Sequence, residues 1–131
     1  MRVLVDTHTF IWYLNGEPSL SETAIKLIES DTTDVSLSMA SLWEISIKNA
    51  NGKLNIGIGY ESMPDVLARY SIDILPIYFD HTLEQNKLPF HHKDPFDRMI
   101  AAQAIVTGID LISKDDIFDS YFIGTEVKRI W

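Results

Sequence analysis

The sequence predicts an α/β fold: a mainly parallel sheet with helices on both faces. Three observations predict it. Short apolar runs recur along the chain, at Val3–Val5, Val35–Leu37, Ile72–Ile77 and Ile109–Ile112. Val3-Leu4-Val5, unbroken by a polar residue, suits a strand buried on both faces. A segment with helical spacing separates each run from the next, as the crossovers of a parallel sheet require.

The elements follow in order. Val3-Leu4-Val5 is the first strand and stops at Asp6. Residues 9–14 read as a helix that ends near Asn15-Gly16, a helix-stopping pair. Residues 19–29 form a second helix, capped by Ser19 or Ser21, with Leu20, Ala24, Leu27 and Ile28 on one stripe. Val35-Ser36-Leu37 is the second strand. Residues 39–51 are helical, with Met39, Leu42, Trp43, Ile47 and Ala50 on the apolar face and Asn51-Gly52 at the end. Residues 53–60 hold two glycines and no clean period, so they read as a loop. Residues 64–70 are helical and start with Pro64. The strand over 72–77 contains Pro76, which removes a ladder hydrogen bond and points to an edge or a strand end. Residues 80–86 form a short helix.

The clearest helix follows. Asp94 is placed to cap it, Pro95 occupies its first position and Gly108 lies just past its last turn. Residues 109–112 are a strand, 115–121 a short helix and 126–130 a last strand.

Composition narrows the function. The 131 residues suit one domain, 1–131, and 46% hydrophobic with 23% charged residues exclude wholesale disorder. Nineteen acidic against eleven basic residues give a net charge of −8. That balance argues against gripping nucleic acid with a broad basic surface, but not against meeting phosphate through metal ions. The chain has no cysteine, which removes disulfides, zinc–thiolate sites and Cys nucleophiles. No apolar run nears the roughly 20 residues of a membrane span, and the first ten residues do not form a signal peptide. A reducing, cytoplasmic setting is the expectation.

Four acids stand out. Asp6 ends the first strand and can cap the helix that follows. Glu44 lies in a helix four residues before Lys48, a spacing that also suits a surface ion pair. Asp97 shares a stripe with Ile100, Ala101 and Ala104, an awkward place for a solvated charge. A carboxylate there needs a partner or a cation. Asp115 follows the strand 109–112. In an open parallel sheet, functional groups gather beyond the carboxyl ends of the strands, where strand order reverses. All four acids can reach that edge. Crowded carboxylates repel without counter-charge, and hard divalent ions such as Mg²⁺ or Mn²⁺ relieve the repulsion through oxygen ligands.

Other chemistries lack their residues. His8, His81, His91 and His92 have no metalloprotease spacing and read as surface histidines. Gly57 and Gly59 lack the Lys-Ser/Thr of a phosphate-binding loop, and no Gly-x-Ser-x-Gly elbow exists. Asp6-Thr7-His8 lacks the second Asp of haloacid-dehalogenase phosphatases. Trp12, Tyr13 and Trp43 have core-like spacing. Lys48, Arg98 and Lys114 lie near the acids in sequence, as phosphate contacts or as ordinary surface charge.

The opening Val-Leu-Val-Asp-Thr-His, Ser-Leu-Trp-Glu-Ile-Ser-Ile-Lys at 41–48, His-His-Lys-Asp-Pro-Phe-Asp-Arg-Met-Ile-Ala-Ala-Gln-Ala at 91–104 and Leu-Ile-Ser-Lys-Asp at 111–115 resemble the PIN-domain family. The likeness is greatest to its VapC-type toxin ribonucleases and covers nearly the whole chain. The resemblance implies a three-layer α/β/α sandwich with a central parallel sheet and a Mg²⁺-dependent endoribonuclease, with Mn²⁺ as a substitute. It matches Asp6, Glu44, Asp97 and Asp115 to the family's four metal-binding and catalytic acids, with Asp116 adjacent to the fourth. Thr7 and Ser113 match its small hydroxyl residues. It further implies an RNA substrate, a small antitoxin partner and a homodimer. Two other classes remain open on the sequence: a Mg²⁺-dependent phosphatase, and a non-catalytic interaction module on the same fold.

Overall fold

Five strands form one parallel sheet: β1 (Arg2–Val5), β2 (Asp34–Ser38), β3 (Ile72–Leu75), β4 (Asp110–Ile112) and β5 (Arg129–Ile130). The computed structural model describes all 131 residues. Seven α-helices connect and cover the strands: α1 (Thr7–Asn15), α2 (Glu22–Glu29), α3 (Met39–Ala50), α4 (Met63–Arg69), α5 (Phe79–Lys87), α6 (Pro95–Thr107) and α7 (Ile117–Phe122). A 3-10 turn at Tyr60–Ser62 precedes α4. The three-layer α/β/α arrangement expected from the sequence is present.

The pleat divides the core in two, because successive side chains point to opposite faces. Val3, Val5, Val35, Leu37 and Ile72 pack with Phe10 of α1, Ala24 and Ile28 of α2, Ile45 of α3 and Leu67 of α4. Leu4 and Leu111 face the other way, onto Ile100, Ala101 and Ala104 of α6 and Phe118 and Phe122 of α7. Each fully buried aliphatic side chain contributes about 1.5–3 kcal/mol relative to exposure. The small residues of α6 let that helix pack against the sheet at Leu4 and Leu111.

Several boundaries move for local reasons. Ser21, not Ser19, caps α2 by accepting the Ala24 N–H at 3.1 Å, so the helix begins at Glu22. β3 stops at Leu75, before Pro76, and is an edge strand. α7 begins at Ile117 because the Asp115 carboxylate accepts the Ile117 N–H at 3.0 Å, a turn ahead of the helix. β5 is shorter than the 126–130 read from the sequence. The Lys128 N–H goes to the Asp110 side chain at 2.9 Å rather than to a neighbouring strand. Gly108 ends α6 with φ of 68°, the left-handed turn that favours glycine. No helix is long and apolar enough to cross a membrane.

Candidate metal centre

The strand order β3-β2-β1-β4-β5 sets the position of the site. From β1 the chain moves outward through β2 and β3, then restarts on the other side of β1 with β4. The crevice of such a sheet opens where the direction changes, beyond the carboxyl ends of β1 and β4. Asp6 leaves β1 at this point, and Ser113 and Asp115 leave β4 beside it.

Asp6 is both a helix cap and part of the crevice. Its Oδ1 accepts the Thr9 N–H at 2.9 Å, and its Oδ2 accepts the Ser113 hydroxyl at 2.6 Å. Burial pushes the Asp6 carboxyl up, and the bonds from Ser113 and Thr9 pull the other way. Ser113 also accepts the Asp115 N–H at 3.0 Å, so one hydroxyl ties the ends of β1 and β4 together. Thr7 is buried and donates to Ser41 at 2.9 Å, joining α1 to α3.

Asp97 stands on the first turn of α6. Asp94 caps this helix by accepting the N–H groups of Phe96 at 2.8 Å and Asp97 at 3.3 Å. The Asp97 carboxyl is pushed up to about 7. Burial is the main cause, followed by the negative charges of Asp94 and Asp6; His92 opposes the rise and Glu44 adds to it. Asp115 Oδ2 lies 2.9 Å from His92 Nε2, and Asp97 Oδ2 lies 3.1 Å from the same nitrogen. Ligand atoms of His92, Asp97 and Asp115 all fall within 4.8 Å of one another. Asp116 stands ahead of α7 and makes no side-chain cap bond.

Glu44 is 2% exposed. Its Oε2 meets Lys48 Nζ at 2.6 Å, and that bond is the chief cause raising the Lys48 ammonium. The surface ion pair expected for these two residues is therefore anchored in the interior at its acidic end. Glu44 Oε1 is buried with no hydrogen-bond partner. A buried carboxylate oxygen left bare costs about 1–3 kcal/mol or more. Paired carboxylates at Asp97 and Asp115, a bare buried oxygen on Glu44 and a carboxyl raised by burial and by neighbouring charge suit a hard divalent cation. The tight group is His92, Asp97 and Asp115; Asp6 and Glu44 lie outside it, each with a partner of its own.

A pocket of about 250 Å³ opens beside the acids, lined by Asp6, His8, Trp12, Lys114 and Asp115. Lys114 Nζ stands 5.9 Å from the centre of the Trp12 ring.

Four sequence expectations need correction. His92 is not a surface histidine but contacts two of the acids. His81 is 2% exposed within α5, where its Nδ1 accepts the Tyr78 N–H at 3.1 Å and lies 3.3 Å from Gln103 Nε2. Arg98 is neither surface charge nor a phosphate contact. It is 3% exposed, donating to the carbonyls of Pro89, Leu88 and Gln85 at 2.7–3.1 Å, with its guanidinium 4.1 Å from the Phe90 ring centre. Trp43 is 60% exposed and meets Phe96 edge-on, so it is not a core residue.

The crevice and its acids define a doubly wound α/β protein with a carboxylate site at the switch point of the sheet. A family model for the PIN domain matches residues 3–122, and the chain belongs to that family. No curated protein is significantly similar in sequence. Among solved structures, VapBC2 from Rickettsia felis, bound to a DNA fragment from its promoter, has a TM-score of 0.74 at 16% identity, covering 99% of this chain and 98% of that one. VapBC-1 from nontypeable Haemophilus influenzae has a TM-score of 0.65 at 18% identity, over 99% and 97%. VapC20 from Mycobacterium tuberculosis, a toxin that cleaves the sarcin-ricin loop, has 0.66 at 16%, over 94% and 95%. At these identities the likeness is one of fold.

Proposed function

We propose that this chain is a Mg²⁺-dependent endoribonuclease that hydrolyses RNA phosphodiester bonds, with Mn²⁺ as a substitute ion. We further propose that it is the toxin of a type II toxin–antitoxin pair, acting in the cytoplasm as a homodimer restrained by a small antitoxin. The observation that carries the reading is the environment of Asp97. Its buried carboxyl is raised to about 7 by burial and by Asp94, Asp6 and Glu44. A divalent cation beside it opposes that rise by attracting the charged form.

Asp6 and Asp97 are the proposed main ligands, with Glu44 and Asp115 completing the set. A bound cation supplies an activated water near neutral pH and neutralises the leaving oxygen. The chain's own residues prepare the site. Ser113 and the Thr9 N–H orient the Asp6 carboxylate. The α6 N-terminus and the Asp94 cap fix the backbone of Asp97. Lys114 is exposed at the pocket rim, where it can meet a flanking phosphate. The net charge of −8 leaves little other attraction for RNA.

Partner binding is supported by the neighbours and by the surface. VapBC-5 from Mycobacterium tuberculosis is a member of the VapBC family of toxin-antitoxin systems, and a further similar structure is a toxin-antitoxin complex from Klebsiella pneumoniae. Met39, Trp43 and Ile47 of α3 are exposed, an apolar face that suits a protein partner.

The test is incubation of purified protein with mixed RNA, with Mg²⁺ or with EDTA, beside Asp97→Asn. The expected result is cleavage by the wild type with metal and by neither control. Equal cleavage in every lane contradicts the reading. Turnover of simple phosphate monoesters without RNA cleavage favours the phosphatase instead.

A further inference from the structure

His92 lies where sequence reasoning placed only a surface ring. Its Nε2 stands 2.9 Å from Asp115 Oδ2 and 3.1 Å from Asp97 Oδ2. A histidine between two acids invites assignment as a third metal ligand. The other ring nitrogen argues against that. Nδ1 accepts the backbone N–H of Asp94 at 3.1 Å. A backbone N–H can only donate, so Nδ1 presents its lone pair and carries no proton. In a neutral imidazole the proton then sits on Nε2. Nε2 is a donor facing two carboxylates and has no lone pair for a cation. Metal-binding histidines show the reverse pattern, donating the second N–H to an acceptor.

We propose that His92 is a positioning residue: its Nε2–H holds Asp97 and Asp115 together from outside the metal site, without ligating the ion. This inference rests on the metal-centre reading above. The remaining contacts fit the role. The His92 N–H donates to Tyr121 Oη at 2.8 Å, and Arg98 Nη1 reaches the same oxygen at 3.3 Å. Arg98 also binds the carbonyls of Leu88 and Pro89, just ahead of His92. The loop is thus fixed at its backbone by α6 and α7, the helices that flank the two acids. Asp94 caps α6, supplies the N–H that sets the His92 tautomer and stands three residues before Asp97. Outer partners of metal-binding carboxylates commonly matter about 10–100-fold in metal affinity.

The test is Mn²⁺ titration followed by electron paramagnetic resonance on wild type, His92→Ala and His92→Gln, with thermal unfolding to confirm that each folds. The Gln amide keeps an N–H donor near the Nε2 position. Expected are Mn²⁺ affinity about 10–100-fold weaker for Ala, largely restored affinity for Gln, and no coupling from a directly bound imidazole nitrogen in the wild type. Unchanged affinity in folded His92→Ala overturns the proposal, and so does a directly bound nitrogen. Absence of Mn²⁺ binding by the wild type instead removes the metal-centre reading, and the proposal with it.

Discussion

Two acidic regions lie at opposite ends of the sheet. Beyond the carboxyl ends stand Asp6, Glu44, Asp97 and Asp115. At the amino ends, a groove of about 410 Å³ is lined in part by Glu29, Asp31 and Asp34, with Arg69 and Tyr70 beside them. The amino-end groove is the larger and has as many acids in reach as many metal sites. Its three acids are all exposed, and Glu29 accepts only a long 3.4 Å bond from the Tyr13 hydroxyl. Water solvates such charges, and they need no cation. At the carboxyl ends, Asp6, Glu44 and Asp97 are buried. The contrast teaches that burial, and not the number of carboxylates, turns an acidic patch into a candidate ion site.

The sharpest way to break this contrast is to neutralise one acid from each region. Asp97→Asn is expected to lower RNA cleavage more than about 100-fold, exceeding the usual cost of losing an outer partner of a metal. The smallest effect belongs at the other end: Glu29→Gln should leave cleavage unchanged and stability within about 0.5 kcal/mol. Rates and denaturant midpoints measured side by side decide whether the two regions differ as described.

Between these extremes lie two basic residues near the acids. Arg98→Leu leaves the carbonyls of Gln85, Leu88 and Pro89 without their donor. It should destabilise the protein by about 2 kcal/mol or more, read from urea unfolding. Lys114 is exposed at the pocket rim. Lys114→Ala should weaken RNA binding several-fold and lower the salt slope by about one, with stability unchanged. A stability loss at Lys114, or none at Arg98, would reverse the roles assigned to them.

Much of this was legible in the sequence because it rests on local chemistry. Asp94-Pro95 and Gly108 bound α6 through capping rules that act within one turn. The stripe Asp97, Ile100, Ala101 and Ala104 revealed a buried carboxylate because helical spacing is fixed. Asp6, Glu44, Asp97 and Asp115 stand out in the sequence by their places after strands and on helix faces, and the charges of Asp6 and Glu44 help raise the Asp97 carboxyl. What escaped was non-local. Arg98 is buried because three carbonyls, one in the last turn of α5 and two in the loop that follows, converge on it, and a residue at that spacing looks like surface charge. His81 is buried through Tyr78 and Gln103, the latter 22 residues away. His92 looked like loop until Asp115, 23 residues on, came beside it. The one available sequence signal was its place two residues ahead of a helix cap.

The central claim, that the crevice is an ion site under strain from burial and from its own charges, has a direct thermodynamic reading. The Asp97 carboxyl rises from 3.8 to about 7 on folding, so the folded state holds this proton more tightly than the unfolded chain. The penalty is absent below pH 4, grows as the pH rises and is complete above pH 7. Its size is on the order of 4 kcal/mol. Thermal unfolding of the metal-free wild type and Asp97→Asn at pH 5 and pH 8, with and without Mn²⁺, measures it. The account predicts that Asp97→Asn is the more stable of the two at pH 8, with a smaller advantage at pH 5. It also predicts that Mn²⁺ raises the wild-type midpoint more at pH 8 than at pH 5 and leaves the variant nearly unmoved. Equal responses of both proteins to Mn²⁺ at both pH values would contradict it.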